Sequence, residues 1–218
     1  MNIVLFDMDR TVVLDDTAAL WTTFLYEKNQ LSDAEKKIRR EFEIAYMEGR
    51  YDVLAGFAFE LSLLKKIPHH LLTAWQREFF TLWIKPKISR IGTELVFHYK
   101  QQPGTIIILA TATVDYIARP VADFLGFPYL IATEAEMHDG KFTGQLAGIP
   151  SMGEGKLTRF KEWVSAQPIE PKHMIFYSDS INDLPLLSYV DKAIAVDPDP
   201  QLRAIAMERE WEITSFAN

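Results

Sequence analysis

The chain has 218 residues, no cysteine and a formal charge of −7, with 48% hydrophobic and 24% charged residues. This length and composition indicate one large globular domain, or one domain with a smaller insert, and argue against long disordered stretches. The lack of cysteine excludes disulfides, thiolate metal sites and a cysteine nucleophile. The acidic balance argues against general binding of nucleic acids or anionic membranes.

The start of the chain predicts a buried strand. Residues 2–6 form a continuous apolar run that ends at Asp7, as expected for a strand covered on both faces of a parallel sheet. We expect no targeting segment here, because the run has no basic region before it and Asp7 interrupts it. The longest uncharged stretch, 101–114, is shorter than the roughly 20 residues that span a bilayer. These features predict a cytoplasmic protein with no membrane partner.

Helical patterns without a strand signal fill residues 15–102. Ser32 and Glu35 fit an N-terminal capping box, and Gly49 is the predicted stop of that helix. Apolar residues at helical spacing predict the next helix. These residues are Leu54, Phe57, Ala58, Leu61 and Leu64.

Pro68 ends the second of these helices, and residues 69–84 form a further amphipathic stretch. An all-helical insert placed directly after a first buried strand has the organisation of a cap domain. We therefore expect a helical cap at 15–102, inserted into a core made of 1–14 and 103–218.

Strand patterns return at residues 105–110, a buried run predicted to end at Thr111. A helix follows, predicted to be broken near Pro120 and closed by Gly126. The remaining predicted elements are a strand at 130–132, a hairpin around 139–140, a helix at 157–164, strands at 173–177 and 193–196, and a last helix from Gln201. Strands alternating with helices predict an α/β fold, a Rossmann-like parallel sheet core with an inserted α-helical cap.

Acidic and hydroxyl residues are concentrated where the predicted parallel strands end. They are Asp7 and Asp9, then Thr111, then Asp179, Asn182 and Asp183, with Lys156 in a loop that opens a helix. Ligands of open parallel sheets bind beyond these strand ends. A single Asp at such a position is most often a turn or cap residue. Two acidic pairs at two strand ends repel each other. A bound divalent cation would explain why these carboxylates lie together, and Mg²⁺ suits a set of ligands that are all oxygen.

The motifs resemble those of the haloacid dehalogenase-like phosphohydrolases. The sequence DMDRTV at 7–12 matches the first family motif, DxDx(T/V), and SDSIND at 178–183 looks like the fourth. Thr111 looks like the second motif and Lys156 like the third, in the family's order. The helical insert is similar to the cap of the phosphoserine-phosphatase-like branch. The resemblance implies an Mg²⁺-dependent phosphomonoester phosphatase that acts on a small metabolite through an aspartyl-phosphate.

The resemblance also implies the catalytic roles. Asp7 would attack phosphorus as the nucleophile. Asp9 would protonate the leaving alcohol and then deprotonate the hydrolytic water. The Thr111 hydroxyl and the Lys156 ammonium would bind the other phosphoryl oxygens.

The metal ligands follow from the same resemblance. Asp7, the backbone carbonyl of Asp9 and Asp179 would hold Mg²⁺. Asn182 and Asp183 would orient the metal side of the site and the lysine.

The substrate prediction depends on Asp16, nine residues after Asp7. Phosphoserine phosphatases have an acid at about that spacing, which contacts the substrate amine, although an N-cap role explains Asp16 equally well. Those enzymes usually carry Ser-Gly in the second motif, whereas this chain has Thr-Ala-Thr at 111–113, which places Ala112 near the substrate and resembles a histidinol-phosphatase-like sister group. We therefore favour L-histidinol phosphate over O-phosphoserine, and some other small phosphomonoester stays open as an alternative. Phosphoserine would need a cap arginine, and the candidates are Arg39, Arg40 and Arg50.

Three other functions remain open at this stage. A phospho-acceptor receiver domain uses similar residue types, but it is about half as long and has no helical insert. A phosphotransferase of the same superfamily would pass the phosphoryl group to a sugar hydroxyl. A binding protein without activity is the third alternative. For all of these we expect a monomer or homodimer and no nucleic-acid partner.

Overall fold

The computed structural model describes residues 1–48 and 50–217, which form a parallel sheet with helices on both faces. Its strands are β1 (Asn2–Phe6), β2 (Thr105–Val114), β3 (Tyr129–Thr133), β4 (Ala135–His138), β5 (Lys141–Leu146), β6 (His173–Ser178), β7 (Lys192–Val196) and β8 (Glu212–Thr214). The main sheet has the order β3-β2-β1-β6-β7-β8 with every neighbouring pair parallel, and β4 pairs with β5 as an antiparallel hairpin. This architecture confirms the predicted Rossmann-like core.

Helices fill the segment between β1 and β2 and then alternate with the later strands. They are α1 (Thr17–Glu27), α2 (Asp33–Met47), α3 (Val53–Lys65), α4 (Leu72–Phe79), α5 (Arg90–Lys100), α6 (Asp115–Leu125), α7 (Glu154–Ala166), α8 (Leu184–Leu187) and α9 (Pro200–Glu208). In the described part of the chain, none of these helices combines the length and apolar character needed to cross a bilayer.

Strand β1 lies in the middle of the sheet and is buried on both faces. Val4 and Phe6 contribute to the core that also contains α5, α6 and the inserted helices. Ile3 and Leu5 contribute to the opposite core, beneath α7, α8 and α9. A continuous apolar run therefore suits this strand, and each fully buried side chain contributes about 1.5–3 kcal/mol.

The start of α2 is the predicted capping box. The backbone N–H of Ser32 donates to the Glu35 carboxylate over 3.0 Å, and the Glu35 N–H donates to the Ser32 hydroxyl over 3.3 Å. The predicted stop at Gly49 lies outside the described residues.

The stretch 69–84 is less regular than the predicted amphipathic helix. A 3₁₀ turn at His69–Leu71 precedes α4, and a π-helical turn at Phe80–Ile84 follows it. A second 3₁₀ turn, Lys85–Lys87, leads towards α5. The helical character of this region is as predicted, but its hydrogen-bond period changes twice.

Strand β2 is longer than the sequence suggests. The prediction ended it at Thr111, whereas the strand continues to Val114. Its pairing with β3 is regular as far as Ala110, becomes irregular, and resumes where Val114 pairs with Thr133. Thr111 therefore lies inside an irregular strand, not after its end.

Helix α6 is unbroken at Pro120, which corrects the predicted break. A proline inside a helix leaves the carbonyl four residues earlier without its usual N–H partner, and here that carbonyl belongs to Tyr116. The side chain of Gln76, in α4, donates to it over 2.5 Å. Gly126 ends the helix in the left-handed conformation as predicted, with φ 75°.

The hairpin β4–β5 was predicted from its turn, and β8 was missed. Asp139 and Gly140 both have positive φ, 48° and 73°, as a two-residue turn between antiparallel strands requires. The hairpin lies against α3 of the insert. Strand β8 has only three residues and no apolar run, so the sequence carries little signal for it.

Candidate active site

A cavity of about 440 Å³ lies at the carboxyl ends of β1, β2 and β6. Apart from two of the three candidate arginines, every side chain proposed from the sequence lines it. Besides one arginine, they are Asp7, Asp9, Asp16, Thr111, Ala112, Lys156, Asp179, Asn182 and Asp183. The core strands form one wall and the inserted helices α1, α2 and α3 contribute to the other. Its size is typical of sites for small molecules.

Lys156 is the buried cation of the site. It lies in the first turn of α7, not in the loop predicted from the sequence, and its side chain is 2% exposed. Its Nζ lies 2.8 Å from the Asp7 carboxylate and 2.6 Å from that of Asp183. Burial disfavours the ammonium, but the two carboxylates outweigh it and raise the pKa of Lys156 above its ordinary value. Lys156 thus stays charged where a phosphoryl group would need a counter-charge.

Asp7 follows β1 directly and is buried. Burial raises its pKa to about 7, against the lowering effect of Lys156. Asp183 adds to the rise, and the Ser178 hydroxyl holds Asp183 in place over 2.6 Å. The Asp7 carboxylate is therefore poorly hydrated and positioned, as a nucleophile requires.

Asp9 is held by two threonines that the sequence analysis did not select. The backbone N–H of Thr17, the first residue of α1, donates to Asp9 Oδ1 over 2.7 Å. The Thr113 hydroxyl donates to Asp9 Oδ2 over 2.5 Å. The pKa of Asp9 is raised to about 6; burial is the largest cause and nearby Asp16 adds to it, whereas the hydrogen bonds from both threonines act in the opposite direction. A carboxyl group with this pKa can give and take a proton near neutral pH.

Thr111 and Asn182 complete the core side of the cavity. The Thr111 hydroxyl accepts the backbone N–H of Thr113 over 3.1 Å, and no described residue accepts its proton. Asn182 lies in the 3₁₀ turn Ile181–Asp183, and its side-chain amide donates to the Ser180 hydroxyl over 3.3 Å. The Thr111 hydroxyl can thus donate its proton to a ligand that enters the site.

The donor set suits a hard divalent cation. The pKa of Asp179 is raised to about 8, mainly by burial and also by the carboxylates of Asp7 and Asp183. Its closest hydrogen-bond donor is the Thr11 hydroxyl at 3.5 Å. Negative charge crowded in this way fits a bound cation, and oxygen ligands fit Mg²⁺. Among the described residues no three His, Cys, Asp or Glu side chains surround one point. The predicted ligands are two carboxylates, Asp7 and Asp179, and the backbone carbonyl of Asp9, a set that is consistent with that finding.

The insert supplies charged residues to the opposite wall. Asp16 caps α1 by accepting the N–H of Ala19 over 2.9 Å, and it also lines the cavity. Arg39 is the one of the three candidate arginines that lines the cavity; its Nη2 lies 3.9 Å from Asp16 and its Nε 3.8 Å from Glu43. Asp16 therefore caps α1 and also borders the cavity, where a contact with a substrate amine stays a prediction.

The sequence analysis missed other residues of this wall. They are Asp15, Ala18, Ala19, Glu43, Tyr51, Phe57 and Glu60, together with Arg10, Met152 and Ser180 from the core segments. One signal was available, since Glu60 is an acid on the apolar face that Phe57 and Leu64 define in α3. A second signal was the alternation of β2, which places Thr113 on the same side as Thr111.

Comparisons with known proteins support one family. The family model for haloacid dehalogenase-like hydrolases matches residues 4–188. A histidinol-phosphatase of Neisseria meningitidis is 34% identical, with 99% of each chain covered. A phosphoserine phosphatase of Mycobacterium tuberculosis is 32% identical over 97% of this chain and 70% of the relative.

Solved structures agree with the fold. The crystal structure of a protein of unknown function from Bordetella pertussis Tohama I has a TM-score of 0.92 and 32% identity, with 99% of each chain covered. A substrate-bound phosphoserine phosphatase has a TM-score of 0.69 and 20% identity, with 99% of this chain and 93% of that chain covered. At that identity the second comparison supports the fold alone.

Proposed function

Because the chain belongs to the haloacid dehalogenase-like hydrolase family and is a phosphatase within it, we propose that it hydrolyses a small phosphomonoester through a phosphorylated Asp7. The observation that carries the proposal is the buried ammonium of Lys156 between Asp7 and Asp183, at 2.8 and 2.6 Å. This arrangement gives a nucleophile and a phosphoryl-binding cation at the same strand ends.

The proposed first step transfers the phosphoryl group to the protein. Asp7 Oδ attacks phosphorus, and the bond between phosphorus and the leaving oxygen breaks. Asp9 gives its proton to that oxygen, so the alcohol leaves neutral. Lys156 and the Thr111 hydroxyl bind phosphoryl oxygens while the charge redistributes.

The proposed second step hydrolyses the phosphorylated Asp7 and restores its carboxylate. Asp9, now ionised, takes a proton from water, the water oxygen attacks phosphorus, and the bond from phosphorus to Asp7 breaks. Inorganic phosphate leaves and Asp9 is again protonated. The hydrogen bonds from Thr17 and Thr113 hold Asp9 in one orientation through both steps.

We propose Mg²⁺ as the cofactor, held by Asp7, Asp179 and the carbonyl of Asp9. When bound, it supplies positive charge that lets a carboxylate and a phosphate dianion approach each other. The excess of carboxylates over Lys156 in the buried part of the site supports this assignment. Asn182 and Asp183 support the metal side and the lysine.

We propose L-histidinol phosphate as the substrate, with a cap over 15–102 closing on a core of 1–14 and 103–218. The similarity to the Neisseria meningitidis histidinol-phosphatase over nearly the whole chain supports this choice. Asp16, on the cap side of the cavity near Ala112, would pair with the substrate amine.

One observation favours a second candidate, phosphoserine. Arg39 lines the cavity, and its buried Nε has no hydrogen-bond partner among the described residues. A substrate carboxylate would satisfy that donor. Arg39 already lies beside Asp16 and Glu43, however, so this candidate takes second place.

The test is phosphate release from p-nitrophenyl phosphate with and without Mg²⁺. Asp7→Asn keeps the shape of the side chain and removes the nucleophile, so turnover should fall by several orders of magnitude. Neutralising one of several crowded carboxylates should leave the melting temperature unchanged or higher. If Asp7→Asn keeps a substantial part of the wild-type turnover, the covalent route is wrong. Product analysis with added sugars separates hydrolysis from phosphotransfer.

The substrate is tested with a panel of phosphate esters and Asp16→Asn. Loss of an amine contact should cost amine-bearing esters about 1.5–3 kcal/mol of transition-state binding. Aryl phosphates should be nearly unaffected. An equal loss for every ester would assign Asp16 to helix capping alone.

A further inference from the structure

Helix α3 presents one of its faces to the catalytic cavity. Glu60 and Phe57 both line the cavity, and Tyr51, just before the helix, lines it as well. Gly56 lies one turn before Glu60, and the Tyr51 hydroxyl occupies the position that a Cβ at Gly56 would fill. Because Gly56 has no side chain, Tyr51 lies directly on the helix. This face of α3, together with Tyr51, therefore presents two aromatic side chains and one carboxylate to the cavity.

Glu60 differs from the other charged residues of the wall. Asp16 accepts a hydrogen bond from Ala19 and lies 3.4 Å from Arg10 and 3.9 Å from Arg39. Within residues 1–48 and 50–217, Glu60 has no hydrogen bond and no ion pair closer than 4.0 Å. The ion pairs of both arginines are with other carboxylates, and the Glu60 carboxylate lines the cavity without a hydrogen bond or ion pair among the described residues.

An unpartnered, poorly hydrated carboxylate costs stability. Burial raises the pKa of Glu60 to about 7; Arg39 lowers it, and Asp16 and Asp9 raise it. A positive charge arriving with a ligand would offset this cost. Rings such as those of Phe57 and Tyr51 also attract cations.

We propose that Glu60 is a specificity-determining residue that binds a protonated nitrogen of the substrate's leaving group. This inference depends on the proposed function, because the phosphate must be held at Asp7 and Lys156 for the leaving group to extend towards α3. The class of substrate is then a phosphomonoester of a short alcohol that carries one or more basic nitrogens. A leaving group with a carboxylate would meet the negative charges of Glu60 and Glu43 and would be disfavoured.

The test compares two esters that differ chiefly in charge, 2-aminoethyl phosphate and propyl phosphate, with p-nitrophenyl phosphate and L-histidinol phosphate beside them. Glu60→Gln keeps the size of the side chain and removes its charge. It should lower kcat/KM about 10- to 100-fold for the two nitrogen-bearing esters, mainly through KM. Propyl and p-nitrophenyl phosphate should be hydrolysed as by the wild type.

The matched control is Glu41→Gln, which neutralises an exposed acid of α2 that does not line the cavity. It should behave as the wild type with every ester. Glu60→Asp, which keeps the charge, should retain more of the preference for 2-aminoethyl phosphate than Glu60→Gln does. Melting temperatures of all three variants check that they are folded.

Failure of this inference is distinguishable from failure of the proposed function. If the wild type hydrolyses p-nitrophenyl phosphate but Glu60→Gln affects all esters equally, or leaves the nitrogen-bearing ones unchanged, the role of Glu60 is wrong and the phosphatase mechanism stands. If the wild type hydrolyses no ester, the proposed mechanism and this inference both fall.

Discussion

The two walls of the cavity differ in how their charges are held. On the core wall, Lys156 contacts two carboxylates within 2.8 Å, and both oxygens of Asp9 accept hydrogen bonds. The other wall, formed by the inserted helices α1, α2 and α3, is called the cap wall. There the ion pairs of Arg39 are 3.8 and 3.9 Å long, and Glu60 has no hydrogen bond or ion pair among the described residues. The core wall is organised before substrate arrives, whereas the cap wall has charges that a substrate can still satisfy. Under the proposed function, catalysis and substrate selectivity would thus depend on different segments of the chain.

The largest effect that separates the walls should come from Lys156→Ala. It leaves Asp7 and Asp183 buried without their cation, which should lower the free energy of unfolding by about 3–5 kcal/mol and reduce kcat/KM more than Lys156→Arg does. Urea unfolding and steady-state kinetics measure both. Lys161→Ala, on the exposed side of the same helix, is the control; it removes a surface cation–π contact with Tyr189 and should change stability by about 1 kcal/mol or less. Equal losses of stability and of kcat/KM in the two alanine variants would contradict the role of Lys156 as the buried cation of the site.

A smaller effect is expected from Thr113, whose hydroxyl donates a hydrogen bond to Asp9 on the core wall. Thr113→Val removes the hydroxyl that donates to Asp9 but keeps the branched shape. It should lower kcat about 10- to 100-fold with little change in KM, because the variant loses part of the contribution of general acid–base catalysis. Thr113→Ser keeps the donor and should restore most of kcat. If Val and Ser variants have the same kcat, the hydrogen bond has no part in positioning Asp9.

The smallest effect is a pH dependence of stability that arises from Glu60 in α3. The pKa of Glu60 is raised to about 7, mainly by burial, so between its ordinary value of 4.5 and 7 the folded state binds more protons than the unfolded state. The free energy of unfolding contributed by Glu60 therefore falls as the pH rises through this window. Glu60→Gln should be more stable than the wild type above about pH 7, by about 1–2 kcal/mol, and equally stable below about pH 4.5.

Glu35 provides the control with the opposite sign. Its hydrogen bond with Lys66 is the main cause that lowers the pKa of Glu35 to about 2, from 4.5. Its contribution is present above pH 4.5 and is lost as the pH falls towards 2. Glu35→Gln should thus be less stable than the wild type at neutral pH. Chemical denaturation at several pH values tests both, and a Glu60→Gln variant without a pH-dependent gain would mean that this carboxylate is well solvated.

The sequence predicted the core wall better than the cap wall for a physical reason. Asp7, Asp9 and Asp179 stand directly after buried apolar strands, so short linear patterns reveal them. Tertiary contacts decide the rest. The continuity of α6 through Pro120 depends on Gln76, which lies in another helix.

The errors and omissions near the site have the same origin. Thr111 was predicted after β2, but the strand continues irregularly to Val114 and brings Thr113 to Asp9. Glu60 lies within the helix predicted at 54–64 but was given no role there, and the packing of α3 over the cavity shows that it lines the site. The hydrophobic pattern of a single helix such as α3 does not show which groups lie opposite a polar residue such as Glu60.

The covalent route through Asp7 is tested most directly by trapping the phosphorylated protein. Asp9→Asn removes the base for the second step, while p-nitrophenyl phosphate, whose leaving group needs no proton, still permits the first. Rapid quenching followed by peptide mass spectrometry should then find phosphate on Asp7 and only slow release of inorganic phosphate. Unmodified Asp7 during fast phosphate release, or phosphate on a different residue, would contradict the mechanism.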